Sequence, residues 1–168
     1  DGEFYNECSV SHGAAFGWME SEEYNENLPY TEGLYAGYEF DRESNVFAYD
    51  TYGATNGIMR NAPLWEKRRV SADGVITFNG ENQYIICDKT LVDYKNMEIC
   101  TAVLWRGGEA EQRVFEFGSE DSMYFTPSNT DGKAEFRIGN TSFAANSALE
   151  KGKWYVIRVI IRNGTAQL

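Results

Sequence analysis

The stretch Gly152-Lys153-Trp154-Tyr155-Val156-Ile157-Arg158-Val159-Ile160-Ile161-Arg162-Asn163-Gly164-Thr165-Ala166-Gln167-Leu168 decides the fold class. Tyr155, Ile157, Val159 and Ile161 fall on one side of an extended chain and Arg158 and Arg162 on the other, the two-residue period of a half-buried strand. Asn163-Gly164 supplies the positive φ angles of a tight turn, so Thr165 to Leu168 is expected to begin a partner strand.

The same pattern extends toward the N-terminus. Met97 to Trp105 is apolar on both faces, with Met97, Ile99, Val103 and Trp105 on one side and Cys100, Ala102 and Leu104 on the other, which places it centrally in a sheet. After Gly107-Gly108 come Arg113 to Phe117, Met123 to Thr126, Ala134 to Ile138 and Thr141 to Ala145, short runs punctuated by Gly118, Asn129-Thr130-Asp131-Gly132 and Gly139-Asn140. Upstream, Leu34 to Phe40, Val75 to Phe78 and Gln83 to Asp88 read as strands, the last two flanking a turn at Asn79-Gly80. No segment of useful length after residue 33 has a helical period. Many short strands at near-regular spacing predict an all-β fold, an antiparallel two-sheet β-sandwich. Residues 1–32 are acidic and poorly periodic and are expected to be a linker or the tail of a preceding unit, with room for a short helix around Gly17 to Tyr24; residues 33–168 are expected to form one domain.

Composition narrows the function classes. At 168 residues and 42% hydrophobic the chain can build a sizeable core. Its formal charge of -11 repels phosphate backbones and anionic lipid, which argues against nucleic-acid and membrane-surface binding. No apolar run approaches the roughly 20 residues that span a bilayer. Cys8, Cys87 and Cys100 are an odd set without metal-ligand spacing and read as small buried thiols. His12 is the single histidine, so a histidine-based zinc site or a Ser/His/Asp triad has little to draw on. Asn140-Thr141-Ser142 and Asn163-Gly164-Thr165 fit the glycosylation sequon.

Five segments together resemble the laminin-G-like, concanavalin A-like jelly rolls, in the version common in extracellular bacterial proteins. Leu34-Tyr35-Ala36-Gly37-Tyr38-Glu39-Phe40-Asp41 is similar to that family's first strand, and Ala48-Tyr49-Asp50 through Asn56-Gly57 to its following loop. Val75 to Ile85 resembles its strand-turn-strand, Met97 to Trp105 its central strand, and Gly152 to Leu168 its late hairpin. The resemblance covers about residues 33–168. It implies a jelly roll, an extracellular or cell-surface location, and further closing strands beyond this hairpin, so that the domain is expected to be incomplete at its C-terminus.

Three constellations carry candidate chemistry. Glu39, Asp41 and Glu43 have strand spacing and would point the same way; in the β-glucanase branch of the resembled superfamily a similar triplet supplies the acid and nucleophile of retaining glycoside hydrolysis. Arg42, which lowers a neighbouring carboxylate's pKa, and the turn residues Ser44-Asn45 weigh against that use. Asp41, Asp50 and Asn56 offer oxygen ligands from two loops, and the resemblance implies a structural Ca²⁺ there; the alternative is turn chemistry, in which Asp and Asn bind nearby backbone. Tyr49, Tyr52 and Trp65 fall in expected loops, where a flat ring can stack on a pyranose; Trp105 and Trp154 fall in apolar strands and read as core.

These readings converge on a non-catalytic extracellular binding module for carbohydrate, attached to a larger surface protein or glycan-degrading enzyme. The alternatives are a glycoside hydrolase using Glu39 and Glu43, and a structural or adhesion domain with a protein partner.

Overall fold

The computed structural model describes residues 14–17, 34–53, 55–67, 74–89, 96–118, 123–162 and 165–168, with residues 14–17 and 34 described by their backbone. The described elements are β-strands paired antiparallel, without an α-helix, so the fold class is all-β and consistent with a sandwich. His12, Cys8 and the Asn163-Gly164 turn lie outside the described residues, as does the helix expected around Gly17 to Tyr24 apart from Gly17, which ends a β-strand. The chain groups into two compact units, Asp1–Ala102 with Val156–Gln167, and Val103–Tyr155 with Leu168.

The first unit carries a five-stranded sheet whose middle strand is β8 (Met97–Leu104). To one side of β8 lie β13 (Trp154–Arg162) and β14 (Thr165–Gln167); to the other lie β1 (Ala14–Gly17) and β2 (Leu34–Tyr38). The late hairpin forms as its alternation requires. Ile157, Val159 and Ile161 are buried, and Ile161 pairs with Ala166. Each such side chain contributes about 1.5–3 kcal/mol by leaving water. β1 falls inside the stretch expected to be a linker, yet it pairs with both β2 and β8. Ala14-Ala15-Phe16-Gly17 has no alternation of apolar and polar residues to announce a strand.

Arg158 departs from its expected place in solvent. Its guanidinium makes a two-pronged bond to Glu98 on β8, Nε to Oε1 at 2.6 Å and Nη2 to Oε2 at 3.1 Å, and Glu98 is 1% exposed. A carboxylate this deep is tolerable because the fork of the guanidinium matches its two oxygens.

Two smaller sheets complete the description of this unit. β3 (Phe47–Ala48), β4 (Gly57–Arg60) and β7 (Tyr84–Ile86) form a three-stranded sheet in that order, and β5 (Leu64–Lys67) pairs with β6 (Gly74–Thr77). The strands flanking Asn79-Gly80 therefore do not pair with each other as a hairpin. β6 goes to β5 and β7 to β4, because the Asn79 Oδ1 gathers the amides of Glu81, Asn82 and Gln83 into a wider turn. Gln83 then donates its amide to the carbonyls of Asn61 and Ala62, tying that turn to the one between β4 and β5.

The second unit holds a four-stranded antiparallel sheet ordered β12 (Thr141–Ala144), β11 (Glu135–Ile138), β10 (Met123–Thr126), β9 (Phe115–Phe117). Its register puts Phe115, Phe125, Phe136 and Phe143 in one row; the Phe115 ring centroid lies 6.2 Å from that of Phe125 and 6.4 Å from that of Phe136, which in turn lies 6.3 Å from that of Phe143. On the other face Tyr124 is buried beneath Arg113, whose guanidinium sits 3.5 Å from the ring centroid, while Arg113 itself pairs with Glu111 at 2.7 Å. Trp154, expected in the core, is 39% exposed at the start of β13.

Candidate functional site

The loop after β3 is organised by one carboxylate. Asp50 Oδ1 accepts hydrogen bonds from the amides of Gly37, Tyr52 and Gly53, and its Oδ2 accepts the amide and the hydroxyl of Thr55. Burial works against the charge of this carboxylate, but the donors from Gly37, Gly53 and Thr55 outweigh it and hold the Asp50 carboxyl below its ordinary pKa. Gly53 allows the wrap: a Cβ there would stand 2.6 Å from Asp50 Oδ2 and 2.7 Å from the Tyr35 carbonyl. Asn56 Oδ1 takes the Asp50 amide at 2.9 Å, which closes the loop.

This donor set does not fit a hard cation. The oxygens of Asp50 and Asn56 face N–H and O–H groups, and Asp41 is an exposed residue of a separate turn. Ca²⁺ needs 6–8 oxygens that point lone pairs at it. Among the described residues no group of three or more His, Cys, Asp or Glu side chains is placed to hold a metal ion.

The carboxylates of Glu39, Asp41 and Glu43 do not share a strand face. β2 ends at Tyr38, and Phe40 has φ of 54°, which turns the chain out of the extended region before Asp41. Trp65 Nε1 and the Gly74 amide both donate to the Phe40 carbonyl, at 2.8 and 3.1 Å, and so hold this corner in place. A Cβ on Gly74 would meet the Trp65 indole nitrogen at 2.3 Å, so the corner requires glycine. Glu39 accepts the Tyr52 hydroxyl at 2.6 Å, while Asp41 and Glu43 are exposed.

The three expected ligand-binding aromatics thus separate. Trp65 lies in β5 rather than a loop and spends its indole N–H on Phe40; Tyr52 spends its hydroxyl on Glu39. Tyr49 stands apart from these framework bonds. Its ring centroid lies 6.1 Å from that of Phe47, and the Arg42 guanidinium sits 5.4 Å from it.

Phe47 belongs to the outward face of the three-stranded sheet. Phe47 pairs with Ile58 and Ile58 with Ile86, while one step of two residues along, Arg60 pairs with Tyr84. Side chains at these positions share one face. On it Phe47, Tyr84 and Ile86 are 40%, 50% and 43% exposed. The opposite face carries Ala48 and Met59, both buried, with Ile85 beside Met59. Behind that face Tyr38 donates its hydroxyl to the Thr55 carbonyl at 2.6 Å, and burial raises both its pKa and that of the neighbouring free thiol Cys87.

Phe47, Ile58, Arg60, Tyr84 and Ile86 are the residues that sequence reasoning missed. Phe47-Ala48-Tyr49 carries a local signal, two rings either side of a small residue at strand period. The others are brought to the face by pairing with β4, which is not written in any local pattern. The chain matches no family model, no curated protein and no solved structure.

Proposed function

We propose that this chain is a non-catalytic carbohydrate-binding module of the jelly-roll type, acting outside the cell as part of a larger surface protein or glycan-degrading enzyme. The observation that carries the reading is the outward pair Phe47 and Tyr49 with the Arg42 guanidinium at the Tyr49 ring. Such a group presents what a sugar needs: flat π faces for the C–H face of a pyranose and fixed donors for its hydroxyls. The carboxylates point the same way. Asp50 is consumed by the backbone and Glu39 by Tyr52, which are framework roles, and glycoside hydrolysis needs a carboxyl held near a second one with its pKa raised.

The test is binding of the intact chain to a glycan array, compared with Phe47→Ala and Tyr49→Ala. Retention of a glycan that both substitutions abolish, at unchanged Tm, is the expected result. A blank array, with no release of reducing sugar from β-glucans, would leave the third reading, a domain with a protein partner.

A further inference from the structure

The exposed rings and aliphatic groups of the three-stranded sheet do not form an isolated spot but a diagonal strip. Resting on the carbohydrate reading, we infer that this strip grips an uncharged polysaccharide along several consecutive sugars.

Register fixes the layout. Tyr49 lies beyond Phe47 at one corner, Phe47, Ile58 and Ile86 form the middle row, and Arg60 with Tyr84 forms the opposite corner. With strands about 4.8 Å apart and about 3.3 Å per residue, Phe47 and Tyr84 are separated by about 12 Å between Cα atoms. The Tyr49 ring adds a further 6.1 Å on the far side of Phe47. That length exceeds a single pyranose ring several times, and the middle of the row is made of side chains from three paired strands. Contact spread over that length suits several consecutive sugars of a polymer rather than one sugar ring.

The ends of the strip share a composition. Each holds a tyrosine and an arginine: the Arg42 guanidinium sits 5.4 Å from the Tyr49 ring, and Arg60 stands opposite Tyr84 in the strand register. Among the described residues neither arginine forms a salt bridge, so both guanidiniums remain available as hydrogen-bond donors to sugar hydroxyls. The Tyr49 ring also attracts the Arg42 guanidinium and keeps it at that end of the strip.

Charge selects among occupants. A chain of formal charge -11 repels a second copy of itself and repels acidic polymers, including acidic polysaccharides and nucleic acid. An uncharged polymer pays neither penalty, and its alternating C–H faces and hydroxyl edges match an apolar strip with donors at both ends.

The experiment uses the intact chain and soluble polysaccharides: a mixed-linkage β-glucan, a xylan, a mannan, and polygalacturonate as the acidic control. For whichever neutral polymer is retained, calorimetry follows affinity through a ladder of its oligosaccharides, for the wild type, Phe47→Ala and Tyr84→Ala. Affinity should climb with oligomer length until the strip is covered. Tyr84→Ala should cost on the order of tenfold for long oligomers while leaving the shortest binder unaffected, and Phe47→Ala should weaken every length. Length-independent affinity with Tyr84→Ala silent would overturn the strip and leave the carbohydrate reading standing. Preference for polygalacturonate would overturn the uncharged ligand. Absence of binding to every glycan would overturn both readings, and concentration-dependent dimerisation abolished by Tyr84→Ala would identify a second copy as the true occupant. Both substituted residues are exposed, so an unchanged Tm shows that folding is not at issue.

Discussion

The two sides of the β3–β4–β7 sheet are built from similar residues and meet opposite fates. On the inner side Ala48 and Met59 are buried, and the neighbouring loop is wired through Asp50, whose two oxygens receive five donors. On the outer side Phe47, Tyr84 and Ile86 stay in water, with Arg42 and Arg60 among them. The difference teaches how to separate architecture from function in a chain rich in both acids and aromatics. Where every polar atom is answered from within the protein, its role is exhausted by the fold. Where large apolar groups remain exposed together, the fold has not explained them, and this is the face proposed above to meet a ligand.

The contrast can be broken from the inside first. Met59→Ala should lower stability by about 2–5 kcal/mol, through lost transfer energy and the cavity left behind, as measured by urea denaturation. Asp50→Ala comes next at about 2–3 kcal/mol, because the amides of Gly37, Gly53 and Thr55 lose a charged acceptor together. The same carboxylate gives a pH signature. Its pKa is lowered by folding, so its contribution is fully present above the unfolded value of about 3.9 and is lost as pH falls through the lower folded value. An acid titration of Tm should therefore fall less steeply below pH ~4 in Asp50→Asn than in the wild type. At the small end, Phe47→Ala and Tyr84→Ala should move stability by no more than about 0.5 kcal/mol while changing glycan retention. EDTA should leave Tm where it is; a drop restored by Ca²⁺ would show that the Asp50 loop rearranges around an ion.

A separate cycle sharpens the picture of the five-stranded sheet. Arg158→Ala leaves the buried Glu98 carboxylate without its guanidinium and should cost about 3–5 kcal/mol. Replacing both with apolar residues of similar volume, Glu98→Met with Arg158→Leu, should recover most of that loss, since a buried ion pair rarely outdoes good apolar packing.

Strands whose pattern is local were legible in the sequence: β8, β10, β12 and β13 lie where alternation puts them. β1 was not, because Ala14-Ala15-Phe16-Gly17 has no alternation of apolar and polar residues, and β5 was not, because Trp65 stands in a short run between Pro63 and charged residues. The Asn79-Gly80 turn was seen, but its partners were misjudged, since an asparagine side chain that caps three amides sends the following strand to a different sheet. The candidate site divides in the same way. Tyr49 was read from its loop, whereas Tyr52 and Trp65 were claimed by hydrogen bonds to Glu39 and Phe40 that only the folded chain reveals. Tyr84 and Arg60 join the surface through register alone.

The most direct measurement is retention of the intact chain on immobilised neutral polysaccharide, compared with Phe47→Ala at matched Tm. Binding by the wild type that is lost in Phe47→Ala is the expected result. Equal retention of both proteins, or retention of neither, would contradict the assignment of the outer face as a carbohydrate-binding surface.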